Sequence, residues 1–555
     1  MTGKCPKLLC ALAIAARMLS AQSTTPAVAP DDLNQIRQRI ADQEEQIKKL
    51  QQAVEEQRTL LDEAVKKAAA AQPASAVADA STAPVKMVPV VNVAHPDIAN
   101  GQKNETAPTS PLSIRIGDAT ITPLGFVDFT MFGRTTNVGS GIGTNFAGIP
   151  LKTAAGSNLS ELNFSAQNSR IGFRVDSTVF GAQVLGYLEA DFQFNNNANS
   201  FQITSNSAGF RLRNYFVDVE KNGFEVLAGQ DWSLLTPNRN GLSPVPSDIF
   251  YTQNEDTNYQ VGLIWTRQPQ IRFIAHPNDN IAFGVSLENP QQYIGGGSGA
   301  GVVTLPSAIS TALGTQFQSG SATTGNSITG IPNLFPDIVA KVAFDGHPGD
   351  RTMHFEVAGL ISGFKDFIPT KITGVPTGTH TAIGYGAEAN FNLELAKNFH
   401  FIMNNFASEG GGRYIFGIGP DVVVQPNGTI TPLHAYSTAD GFELNLTKKT
   451  LLALYYGGAY VDRDAIFDST AAGSTLAKPV YVGYGYVGSS ASNNRTVQEA
   501  TADVVQTLWK NPSYGALSLI LQYSYLWRDP WSVAAGTPTN TSTNMWYLDV
   551  RYTLP

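Results

Sequence analysis

Arg170-Ile171-Gly172-Phe173-Arg174-Val175-Asp176 runs into a short Phe180-Gly181 turn and then Leu188-Glu189-Ala190-Asp191-Phe192-Gln193-Phe194, and both runs have a period of two. Successive side chains on a strand point to opposite faces. Ile171, Phe173 and Val175 therefore share one face, while Arg170, Arg174 and Asp176 share the other. Leu188, Ala190, Phe192 and Phe194 likewise oppose Glu189, Asp191 and Gln193. Val127-Asp128-Phe129-Thr130-Met131-Phe132 repeats the pattern. So does the end of the chain, where Trp546, Leu548, Val550, Tyr552 and Leu554 alternate with Tyr547, Asp549, Arg551 and Thr553. One greasy and one charged face suits a soluble sandwich or a membrane barrel equally well.

The connections separate those two. Short links recur after every second strand, at Lys221-Asn222-Gly223, Pro277 to Asn280, Asp345 to Asp350, Leu395 to Asn398, Thr447 to Thr450 and Lys510 to Pro512. The links between them are long. Short turns on one rim and long loops on the other mark an outer-membrane barrel, and roughly sixteen strands fit between them. The expected fold is all-β: an antiparallel transmembrane β-barrel over residues 119–555. The row Leu517, Leu519, Leu521, Tyr523, Tyr525 and Trp527 ends in an aromatic cluster that suits a membrane interface.

Composition excludes other classes. Only 15% of the 555 residues are charged, yet no apolar run reaches the roughly 18 residues that a spanning helix needs. A net charge of −8 argues against a nucleic-acid partner. Residues 1–21 read as a secretory signal peptide, with Lys4 and Lys7 ahead of an apolar stretch from Leu8 to Leu19. Cys5 and Cys10 fall inside it, so the mature chain carries no cysteine. After a leader, 22–32, a heptad seam runs through 33–68 on Leu33, Ile36, Ile40, Gln43, Ile47, Leu50, Val54, Gln57 and Leu61. A stripe that narrow is buried only against another helix, which predicts a self-associating α-helical coiled coil. Residues 69–118 are rich in Ala and Pro without period and read as a linker.

A barrel this wide is not filled by its own side chains, so a water-filled channel for small hydrophilic solutes is the expected function. Arg170, Arg174, Arg211, Arg213 and Arg272 fall at inward phase, because a charge facing lipid near the midplane costs roughly 2–4 kcal/mol. The third long loop, Asp231 to Asn258, is the candidate constriction, with Asp231, Arg239, Glu255 and Asp256 as its charged groups. Such arginines would favour anions, although Asp128, Asp176, Glu189 and Asp191 share those faces. Two other readings are a barrel that merely anchors an envelope tether or adhesin through its coiled coil, and a barrel hydrolase. His354 and His400 fall at inward phase but accompany no nucleophile signature, and no metal, nucleotide or cofactor motif is present.

Phe210-Arg211-Leu212-Arg213-Asn214-Tyr215-Phe216 and Leu227-Ala228-Gly229-Gln230-Asp231-Trp232-Ser233 resemble the DcaP-like family of trimeric porins. Arg267-Gln268-Pro269-Gln270-Ile271-Arg272-Phe273 and Leu287-Glu288-Asn289-Pro290 extend the likeness. The resemblance implies a homotrimer in outer-membrane lipid. It also implies a coiled coil before the barrel and passive uptake of small, often anionic solutes such as dicarboxylates, while strand parity, with both barrel ends at the short-turn rim, puts that coiled coil on the periplasmic side. Arg211 and Arg213 match that family's basic strand.

Overall fold

The computed structural model describes residues 45, 48, 110–194, 208–242, 250–255, 257–320, 331–369 and 375–555. Glu45 and Lys48 are helical. The signal peptide, leader, coiled-coil seam and most of the linker lie otherwise outside the described residues.

Sixteen barrel strands follow. They are β1 (Ala119–Arg134), β2 in two pieces (Glu161–Ser165 and Arg170–Val179), β3 (Ala182–Phe194), β4 (Gly209–Lys221) and β5 (Phe224–Trp232). Then come β6 (Arg267–Asn278), β7 (Ile281–Glu288), β8 (Asp337–Gly346), β9 (Met353–Ile368), β10 (Gly378–Ala396) and β11 (Phe399–Glu409). The last five are β12 (His434–Thr447), β13 (Thr450–Val461), β14 (Asn494–Asn511), β15 (Gly515–Pro530) and β16 (Thr541–Thr553). Each pairs antiparallel with the next, and β16 returns to β1 through Phe126 opposite Thr553, so the sheet closes. Closure removes the unpaired edges that an open sheet exposes.

Two-residue turns join β2 to β3 and β4 to β5. Phe180 and Gly181 (φ 51° and 75°) and Asn222 and Gly223 (φ 54° and 77°) put both central residues in the left-handed region. That twist matches the flanking strands of a hairpin. The other rim carries long loops, among them L1 (135–160), L3 (233–266), L4 (289–336), L6 (410–433) and L7 (462–493).

The faces follow the alternation. Val127 and Phe129 are 63% and 50% exposed, whereas Asp128 and Thr130, which alternate with them, are fully buried. Rings stack across strands at two heights of the outer wall. Phe391, Phe401, Phe399 and Phe442 lie toward the short turns, and Tyr436, Tyr460, Tyr525 and Trp527 lie toward the loops. Two such girdles bound the apolar band of a membrane barrel.

One departure from strict alternation matters for the interior. Glu189 pairs with Asn214 but Ala190 pairs with Leu212, so Arg213 is the extra residue of a bulge in β4. Arg213 and Asn214 consequently both point inward, 1% and 0% exposed. Beyond the bulge the phase reverses, which buries Phe216 and turns Tyr215 outward.

Candidate functional site: the loop-crossed lumen

L3 leaves β5 and returns to β6, but its middle is bonded to the far wall; with sixteen strands, β13 stands opposite β5. On β14, Glu499 receives the Asn254 side-chain amide and, at 3.2 Å, the Val261 backbone N–H. On β15, Gln522 Oε1 accepts the Gln253 N–H at 2.5 Å, and on β16 Arg551 donates to Gln253 Oε1 at 2.6 Å. On β8 and β9, Lys341 Nζ donates to the Thr236 carbonyl at 3.0 Å, and Glu356 accepts the Asn238 N–H at 3.2 Å. The described part of L3 therefore touches most of the circumference. The loop begins after Trp232 rather than at Asp231, which ends β5, and continues to Thr266, beyond the expected limit at Asn258.

Glycine makes the far contact possible. A Cβ on Gly457 would lie 1.8 Å from the Val261 carbonyl oxygen, and one on Gly262 (φ +89°) would lie 2.1 Å from that of Thr438. Backbone meets backbone here, so no rotamer change relieves a side chain. Gly457→Val is expected to lift L3 from the wall while leaving strand pairing intact. Faster protease cleavage within 250–266 in folded barrels, against unchanged cleavage in wild type, is the measurement.

Four of the expected basic residues, Arg170, Arg211, Arg213 and Arg272, form one arc. Arg213 reaches Glu189 at 2.6 Å and Asp191 at 2.8 Å. Arg211 takes Asp191 in a fork, at 2.9 and 2.6 Å. Arg170 donates to Thr257 of L3 at 2.7 Å and stands 3.8 Å from Glu189. Arg272 donates to the Trp232 carbonyl at 2.6 Å and lies 3.3 Å from Asp231, which also accepts from Asn214 at 2.7 Å. Arg174 sits apart toward the short turns, side chain 41% exposed, paired with Asp176 at 2.8 Å. Arg239 crosses to the other arc and forks onto Glu443 of β12 at 2.8 and 2.6 Å, with the Tyr455 hydroxyl donating to the same carboxylate at 2.7 Å. The Glu255 carbonyl accepts from Gln193 at 3.5 Å; Asp256 lies outside the described residues.

The interior is thus two unlike arcs. Inward arginines run from Arg528 and Arg551 on β15 and β16 through Arg134 on β1 to Arg272 on β6, interleaved with the buried acids Asp128, Glu189, Asp191, Asp218, Glu225 and Asp231. Carboxylates Glu356, Glu388, Glu443, Glu499 and Asp503 project from β9 to β14, met chiefly by Lys341 and by Arg239 from the loop. The later carboxylates were missed in the sequence, although Glu443 and Asp503 carry the same signal as Arg213: charge at inward phase. Their partners on L3 carry no periodic signal at all.

Two more loops pack on L3. The rings of Phe146 (L1), Tyr259 (L3) and Phe416 (L6) stand 4.3 to 6.2 Å apart in a triangle. Arg413 and Tyr414 of L6 bind Asp337 at the end of β8. Asp421, buried within L6, has its carboxyl pushed up to about 7 by burial, against the attraction of Arg413. Four histidines face acids or an amide: His354 to Asp345 at 2.8 Å, His380 to Asp366 at 2.7 Å, His276 to Glu225 at 3.1 Å and His400 to Asn392 at 3.1 Å.

The sequence matches no protein-family model and no curated protein. Comparison with solved structures finds the outer-membrane channel DcaP of Acinetobacter baumannii, with a TM-score of 0.54 and 17% identity over 78% of this chain and 97% of that one. The barrel fold of this chain is that of the DcaP channel. The anion-selective porin of Comamonas acidovorans (TM-score 0.41, 12% identity, 78% and 99% coverage) and Pseudomonas putida OprB (0.41, 10%, 78% and 94%) are also similar. The likeness to the DcaP channel spans nearly that whole chain.

Proposed function

We propose that the chain is an outer-membrane porin, a homotrimer that passes small hydrophilic solutes by passive diffusion, with its short-turn rim and N-terminal coiled coil on the periplasmic side. The observation that carries this reading is L3, which leaves one wall of a closed sixteen-strand barrel and is fastened to the opposite wall amid charged side chains. A loop so placed narrows the lumen without plugging it as a separate domain, and the two unlike arcs set a transverse field across the gap. Small anions, dicarboxylates among them, are the solute class we assign, because guanidinium groups recognise planar carboxylates, as Arg211 does with Asp191. The arginines are paired with acids, so selection acts through oriented charge rather than through net positive charge.

Purified protein in planar bilayers under a salt gradient tests this. Conductance steps grouped in threes, with a reversal potential on the anion side, are expected. Absence of conductance from barrels shown to be folded would overturn the porin reading in favour of a membrane anchor.

A further inference from the structure

Most inward arginines already have a counter-charge. Arg134 lies 2.8 Å from Glu161, Arg213 2.6 Å from Glu189, Arg239 2.6 Å from Glu443, Arg272 3.3 Å from Asp231 and Arg551 2.8 Å from Asp128. Arg528 does not. It is the third residue from the loop end of β15 and alternates with outward Trp527 and Asp529, so its side chain points into the barrel, 4% exposed. Its guanidinium meets neutral oxygens from three elements. Nε donates to the Ile149 carbonyl of L1 at 2.7 Å, and Nη1 donates to the Ala491 carbonyl of L7 at 2.6 Å and to Asn494 Oδ1 of β14 at 2.8 Å. Among the described residues no carboxylate pairs with it; Asp529 faces the other way and accepts from Thr496 at 2.6 Å. The ionisable group beside Arg528 is Tyr484 of L7, whose hydroxyl donates to the Asn494 carbonyl at 3.1 Å and brings no negative charge.

These neutral acceptors satisfy three of the five guanidinium N–H groups without cancelling the charge. The two on Nη2 bond nothing among the described residues and are not enclosed by them. A charge held largely out of water without a counter-charge is costly, so an anion gains more here than at an arginine whose acid is already in place. The position on the strand matters as well. L3 is fastened to the same strand at Gln522, six residues deeper, which is about 20 Å along it at roughly 3.3 Å per residue. An anion entering between L1 and L7 therefore meets Arg528 before it meets L3.

We infer that Arg528 is an anion-docking site at the loop-side mouth of the channel, where Nη2 takes a carboxylate oxygen of a small organic acid. The inference rests on the porin reading above and moves the binding step off the arginine arc. Arg211 and Arg213, tied to Asp191 and Glu189, orient the field, while Arg528 holds the solute.

The test measures chloride current through the full protein in planar bilayers as sodium succinate is added. In wild type the current falls to a plateau as succinate occupies the site. Arg528→Gln weakens that block by about tenfold, the worth of one charge-assisted hydrogen bond. Arg528→Lys keeps the charge but cannot span L1, L7 and β14, so it retains more of the block than Arg528→Gln while losing the loop staple. Block that is unchanged in Arg528→Gln, or lost equally in both variants as a purely structural staple requires, overturns the site. A wild-type channel that conducts chloride but shows no succinate block sinks only this assignment, whereas folded barrels without conductance sink the porin reading itself.

Discussion

Excising residues 250–262 and bridging the gap with a short glycine-serine link raises single-channel conductance several-fold and flattens the reversal potential toward that of free solution. The segment removed holds Gln253, Asn254, Tyr259 and Val261, the groups that carry L3 to β14 and β15. Without it, Glu499, Gln522 and Arg551 exchange loop partners for water rather than for an apolar contact, so the wall loses little. The strand-to-strand hydrogen bonds that hold the barrel are untouched. Conductance in a wide pore is limited by its narrowest section, and a barrel of this strand number is an aqueous channel once that section is opened. Unchanged conductance in a heat-stable variant would show that the loop does not set the limit.

Arg213→Ala acts on stability and selectivity together. Glu189 and Asp191 are at most 2% exposed at their side chains, and Arg213 bridges them. Removing one member of a buried ion pair costs about 3–5 kcal/mol, because the abandoned charge stays desolvated. Arg211 and Arg170 remain near the two acids and hold the loss toward the lower end. The lost positive charge also tilts the lumen toward cations, moving the reversal potential in that direction. Urea unfolding in lipid vesicles reads the first effect and a salt gradient the second. Adding Glu189→Gln to Arg213→Ala should restore part of the stability, since it removes the orphaned charge. If the single variant is as stable as wild type, the triad is solvated and the buried-bridge account fails.

The barrel was legible because its signals are local and repeated. Alternation at Val127–Phe132 and Trp546–Leu554 sets the faces, and two-residue links such as Asn222-Gly223 set the rims. β14 keeps the alternation between an irregularity at each end, with Val497 and Val505 inward among polar neighbours. The lumen was legible only in part. Arg213 was assigned to the inner face, but its bulge was not foreseen, since no residue type in Arg211-Leu212-Arg213-Asn214 demands one. L3 was assigned inward on charge content, yet most of what fastens it is uncharged: the Val261 amide, Gln253, and the room left by Gly457 and Gly262. Such contacts depend on which strand ends up opposite which loop, and that is a property of closure rather than of any one stretch.

The seam between β16 and β1 has a consequence for how the protein comes into being. Every other strand finds its neighbour through a turn or loop, but Phe126 must wait for Thr553, and the terminal Pro555 carbonyl is held by Ser110 at 2.7 Å. A chain without β16 in place therefore carries two raw edges, each able to recruit foreign strands, until the thirteen residues Thr541–Thr553 dock. Those residues work as a latch. Closure accordingly waits for β16, and a chain without that strand is an open sheet for proteases rather than a slightly smaller pore.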